Sequence, residues 1–187
     1  MKLIKLFPIL CLYLIGIVYL SLPQPTVPVV IDGLRSQEAG DTWQHPDQSA
    51  YYTQKERQQV LSELESDFSL KSYNPFPLSF RLNYRPEETT LFVREQVPSY
   101  YLEEIIHPFR ESLFVNGWEP QNSPLYVDLS QEKKPLIQID GVFYRSKITL
   151  KPIFSSLPSR ISIWTLIFPA SYLVFVSIKK TYNLLHE

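Results

Sequence analysis

Chemically reactive side chains are scarce in this sequence. Its 187 residues include one cysteine, three histidines and five glycines. The single cysteine, Cys11, excludes any disulfide within the chain. Stability must come from burial, which about 100 residues can supply without a cross-link. Cys11 lies in an apolar run with no small-residue box before it, so it reads as a small apolar side chain, not a lipid attachment point. The few glycines leave no glycine-rich phosphate loop and no Gly-x-Ser-x-Gly elbow. None of Asn74, Asn83, Asn116, Asn122 and Asn183 opens a glycosylation sequon. A chain without sequons or disulfides suits a bacterial envelope better than a eukaryotic secretory lumen.

The histidines and acids form no recognisable constellation. His45, in Asp41-x-x-x-His45-Pro46-Asp47, lacks a third ligand at metal spacing and reads as a polar loop. His107 reads as a residue packed at a helix kink, and His186 lies in the tail. Glu87-Glu88 and Glu103-Glu104 are paired carboxylates, which do acid–base work when one of them is buried. Their positions predict a turn and a solvated helix face instead. No catalytic, cofactor-binding or metal-binding residue is assigned, and no cofactor is expected. The expectation is a chain that is not an enzyme. A net charge of −1 without a basic stripe gives no footprint for nucleic acid.

What the sequence does have is an apolar stretch near each end. Leu6–Leu22 is 17 residues and Ile161–Ile178 is 18, both free of ionisable side chains. At 1.5 Å per residue each covers roughly 26 to 27 Å, near the ~30 Å hydrocarbon thickness. Lys2 and Lys5 precede the first, and Lys179 and Lys180 follow the second. The first could be read as a cleaved signal peptide, but it is long for one and Val18-Tyr19-Leu20-Ser21 has no small-x-small site. The lysines predict both termini in the cytoplasm and residues 23–160 outside. The charges agree: residues 23–160 hold 14 Lys and Arg against 18 Asp and Glu, and the two tails hold 4 against 1. In the spans, Gly16, Pro169, Ala170 and Ser171 are candidates for close helix packing.

The predicted organisation follows. Residues 1–22 form the first transmembrane helix, and 23–50 an extended, proline-containing connector with room for an edge strand at Val27–Ile31. Residues 51–156 form an α+β domain, 157–180 the second transmembrane helix and 181–187 a cytoplasmic tail. Within the domain, Thr53-x-x-Glu56 predicts a capping box before a helix over 54–68 carrying Val60, Leu61, Leu64 and Phe68. Alternation over 78–84 predicts a half-buried strand, and 91–97 a returning one. Ser99 and the spacing of Leu102, Ile105, Ile106, Phe109 and Leu113 predict a second helix, interrupted at His107-Pro108 and ended at Asn116-Gly117. Leu125–Leu129 reads as a short strand. Asp140-Gly141 predicts a type I′ hairpin between 136–139 and 142–150. The order α-β-β-α-β-β-β implies a mainly antiparallel sheet with two helices on one face.

Aromatic residues number 26. Tyr100, Tyr101, Trp118 and Phe143 are candidate partner contacts, since such rings are enriched where proteins meet. The layout of span, outer domain and span is similar to that of the polysaccharide co-polymerases. That likeness implies a self-assembling regulator of glycan chain length or export. Their outer domains are usually larger and more helical, and their second span richer in proline than this one, which has Pro169 alone. The residues themselves favour an accessory or scaffold subunit of a larger bacterial inner-membrane complex. Its partners would be the lipid bilayer and other membrane subunits or copies of itself. A membrane-anchored enzyme without a recognisable motif is the third reading.

Overall fold

Among the described residues, the longest hairpin forms where the apolar spacing predicts a helix. In the computed structural model, which describes residues 2–73, 79–93, 99–123 and 126–185, strands β4 (Tyr101–His107) and β5 (Glu111–Trp118) pair antiparallel. The reason is burial on both faces. Tyr101 and Ile105 face one side, Leu102 and Phe114 the other, so no period-two alternation is visible and the residues match a helical template by accident. Tyr, Ile, Val and Phe nevertheless prefer the strand. Pro108 does not kink a helix. It opens the β4–β5 turn, closed by Arg110 N bonding His107 O at 3.1 Å.

The chain divides into two compact units, residues 1–22 with 155–187, and residues 23–154. The second is an α+β fold around a six-stranded antiparallel sheet. Besides β4 and β5 it contains β1 (Leu34–Arg35), β2 (Ser49–Thr53), β3 (Phe80–Tyr84) and β8 (Ser146–Phe154), in the order β1-β2-β8-β5-β4-β3. Residues 23–50 are thus more than a connector: they supply β1 and the start of β2, and Val30 enters the core, while Val27–Ile31 forms no strand. The predicted hairpin is present as β6 (Ile137–Ile139) and β7 (Val142–Tyr144), with Asp140 at φ 49° and Gly141 at φ 81° as a type I′ turn demands. The run beyond it breaks at Arg145 and continues as β8 in the main sheet.

One long helix, α2 (Arg57–Lys71), covers one face of this sheet. Val60, Leu61, Leu64 and Phe68 pack on Tyr51, Tyr101, Ile105, Leu113, Val115, Ile148 and Leu150. The predicted capping box is not made, because Thr53 belongs to β2 and its hydroxyl accepts from Lys55 N; Glu56 takes the cap position without capping the helix through its side chain, which accepts from Arg145 instead. A second helix on that face is replaced by the β4–β5 hairpin. On the opposite face Val93, Leu102 and Phe114 gather with Tyr84 and Phe92. Thr89–Phe92 forms a single helical turn, α3, so Leu91 and Phe92 do not open the strand predicted over 91–97; 94–97 lie outside the described residues. Leu78 and Leu125 do so too, and Tyr126–Leu129 is a turn, not a strand. Among the described residues β3 is an edge strand bonded only to β4, and it is more exposed than half-buried.

The first unit holds two helices, α1 (Lys2–Leu20) and α4 (Leu157–Leu185). Within α4, Leu157–Tyr182 is long and apolar enough to cross a membrane, and none of its most apolar window is buried. In α1 the apolar run of described residues is Phe7–Leu20, covering about 21 Å at helical rise.

Candidate functional site: buried polar anchors and a paired helix surface

The helix α2 is tied at both ends to charged side chains under the sheet. At its start Arg57 makes a paired hydrogen bond to Glu103, whose other carboxylate oxygen lies 3.1 Å from Arg81 Nε. Glu103 is buried, so the paired acids at 103–104 are not a solvated helix face; Glu104 instead accepts from Tyr84 Oη at 2.5 Å. That bond, with some burial, lifts the Tyr84 phenol to about 12. The Arg57 guanidinium lies 4.7 Å above the ring of Tyr101. Tyr101 is fully buried, and Gly117 on the neighbouring strand makes the room: a Cβ there would stand 2.1 Å from the ring. Tyr101 is therefore core, not a partner contact. Its hydroxyl finds no hydrogen-bond partner among the described residues. Burial, and then the charge of Glu119, hold the phenol far above its usual range.

At the far end of α2 the anchor is histidine-based. His107 Nδ1 lies 3.0 Å from Glu111 Oε1 and 2.9 Å from Ser72 Oγ. Ser72 Oγ donates to Phe68 O at 2.6 Å, so it accepts from Nδ1 and the proton belongs on that nitrogen. The other ring nitrogen, Nε2, faces Ser69 Oγ at 3.4 Å. The order Ser69–His107–Glu111 has the connectivity of a serine nucleophile, base and orienting acid. Its chemistry is another matter. The imidazole is 1 % exposed and stacked on Phe68 at 4.7 Å. Ser69 sits in the last turn of α2, where the helix field disfavours a developing oxyanion. The neighbouring amides of Ser72 and Tyr73 already bond Phe68 O and Leu70 O. Arg110 completes the group, bonding Ser72 O, Pro23 O and Glu111. The arrangement links three distant segments: the end of α2, Pro23 and the β4–β5 hairpin.

A third group lies beneath the β1–β2 region. Lys147 reaches Asp41 at 3.0 Å and Glu38 at 3.2 Å, and Tyr52 Oη donates to Glu38 at 2.6 Å. That bond, ahead of Lys147, holds the Glu38 carboxyl below its usual value; burial, then the same bond, pushes Tyr52 to about 12. No group of three metal-ligating side chains occurs among the described residues, and His45 stays in its loop. A polar cleft of about 230 Å³ beside Val27, Asp47 and Pro152 is smaller than the ~300–1,000 Å³ usual for a small-molecule site.

The two helices of the first unit meet along one line. Leu20 O accepts from Arg160, Gly16 lies against Trp164, Tyr13 O accepts from Trp164 Nε1 at 3.1 Å, and Tyr13 Oη meets Thr165 Oγ1 at 3.1 Å. Rising numbers in α1 meet falling numbers in α4, so the pair is antiparallel. A Cβ on Gly16 would come within 2.2 Å of the Trp164 indole. Pro169 borders an apolar groove of about 650 Å³ with Phe7, Leu10, Tyr13 and Phe168. Ala170 and Ser171 are exposed. Of the other aromatic candidates, Tyr100 and Trp118 are partly buried, while Phe143 is exposed beside Val142 on the small hairpin.

The protein is an α+β fold with a six-stranded antiparallel sheet and a C-terminal apolar helix. No family model matches the chain, and neither a curated protein nor a solved structure resembles it significantly.

Proposed function

We propose that this protein is a non-catalytic, double-pass accessory or scaffold subunit of a larger membrane complex. Both termini lie in the cytoplasm of what the composition reads as a bacterial cell, and the α+β domain stands outside the inner membrane. The observation that carries the reading is the antiparallel seam of Tyr13, Gly16, Trp164 and Thr165. A helix packed side by side and antiparallel with a membrane-length partner shares its layer, and the lysines at the outer ends then fall on one side. The seam uses one face of each helix. The groove at Pro169 and the exposed Leu166, Leu173 and Phe175 are left for partner helices. The buried polar groups described above serve to hold the domain together, which supports an interaction role over a chemical one.

Affinity purification from native membranes tests this directly. Stable co-purification of other membrane subunits is expected; recovery of the chain alone as a monomer would sink the proposal. A homo-oligomer, together with altered surface polysaccharide on deletion, would favour the chain-length regulator instead.

A further inference from the structure

One end of the α+β domain carries exposed aromatic side chains in backbone positions that disfavour them. Arg110 Nη2 bonds Pro23 O, at the first residue of the domain, and Glu111 pairs with Phe154, its last. The same guanidinium bonds Ser72 O, beside the end of α2. Both ends of the domain's chain, the β4–β5 turn and the close of α2 therefore meet in one place. Around it stand Phe109 (55 % exposed), Tyr73 (68 %), Leu70 (75 %), Phe80 (56 %), Ile153 (44 %) and Phe154 (38 %). The register puts Phe80 opposite Ile106 and Ile153 opposite Ser112, so these side chains share that end of the sheet.

Two of these rings sit where glycine or asparagine is the usual choice. Phe109 has φ 61° at the third position of the Pro108 turn, and Tyr73 has φ 49° just after α2. A large aromatic in a left-handed position gains nothing from the backbone, and both of these side chains are more than half exposed. The charged neighbours do not explain the exposure. Arg110 and Glu111 are buried, and Lys71 is paired with Asp67 at 2.7 Å.

We propose that this rim is seated in the headgroup layer of the bilayer, with lipid as its partner. Ser21-Leu22 separates α1 from Pro23, and Ser155-Ser156 separates Phe154 from α4. Two intervening residues make three Cα–Cα steps, which reach at most ~11 Å. If α1 and α4 cross the membrane, as the functional reading above holds and on which this inference rests, covalent reach alone keeps this end of the domain near the headgroups. Amphipathic and aromatic rings are favoured at that depth. The Phe143 hairpin precedes the start of β8, at the opposite end of a nine-residue strand, and serves as the aqueous reference.

The test uses the full chain with Cys11→Ser, reconstituted in phosphatidylcholine–phosphatidylglycerol vesicles. Single spin labels are placed through Phe109→Cys, Tyr73→Cys, Phe143→Cys and Leu166→Cys. Collision rates with oxygen and with a water-soluble nickel chelate give the depth of each label. The expected result is hydrocarbon depth at 166, free chelate access at 143, and severalfold lower chelate access with high oxygen access at 73 and 109. Chelate access at 73 and 109 equal to that at 143, with 166 still in hydrocarbon, overturns the rim and leaves the anchor standing. Shielding of 73 and 109 from both reagents means burial in protein and overturns it too. A label at 166 open to the chelate removes the membrane reading and this inference together. Should Phe109→Cys not fold, Phe154→Cys on the same rim gives the same readout.

Discussion

Single residues decide several local outcomes. Gly117 is required by its neighbour: its missing Cβ is the space that the Tyr101 ring fills. Gly117→Ala should lower stability by about 1–3 kcal/mol, as overpacking does, read from denaturant midpoints of the purified chain. Phe109 behaves in the opposite sense. Phe109→Gly relieves a left-handed backbone worth roughly 1–2 kcal/mol, so the unfolding midpoint should rise while vesicle contact at the turn weakens. Tyr52 gives the protein an alkaline limit. Its unfolded phenol loses its proton near 10 and its folded one at about 12. Between those values the folded state holds a proton that the unfolded state has released, so stability falls as pH rises from 10 towards 12. Tyr52→Phe should flatten that decline in unfolding curves taken across the range, leaving what the other buried phenols contribute.

Elements were legible where one face meets water and illegible where both are covered. α2 shows its apolar stripe because its other side is solvated, and the Asp140-Gly141 turn shows because its geometry needs positive φ. The β4–β5 hairpin was hidden for the converse reason: with burial on both faces the apolar residues lose their alternation. Tyr101 reads as a surface ring in the sequence for the same reason and is core in the structure. The short β1 and the start of β2 lay in a polar, proline-bearing stretch whose pairing depends on β8, far along the chain. The His107 group could not be read either, since Ser72, His107 and Glu111 come together only through the hairpin. Gly16 was visible as a small residue in an apolar run; its neighbour Trp164 was not. Its prediction belongs here. Cysteines at 13 and 165 in a Cys11→Ser chain should be joined by a short bis-maleimide in membranes, and Gly16→Leu should abolish the product by forcing the indole away.

At the scale of the whole molecule the proposed topology makes a simple claim. An alkaline phosphatase fusion after Ile153 should be active and one after Lys180 inactive; the reverse pattern would invert the orientation drawn from the lysines. Much of that scale was accessible from the chain itself. Apolar length and flanking charge are additive properties of a local segment, so they can be counted without knowing what the segment touches. The absence of a disulfide is of the same kind. Which residues are core, which strands are neighbours, and which rings end up exposed are not additive. They depend on contacts between residues dozens of positions apart: Arg110 with Pro23, Tyr101 with Gly117, Trp164 with Gly16. Only the tertiary structure decides those, because burial belongs to the packed assembly of segments and not to any one of them.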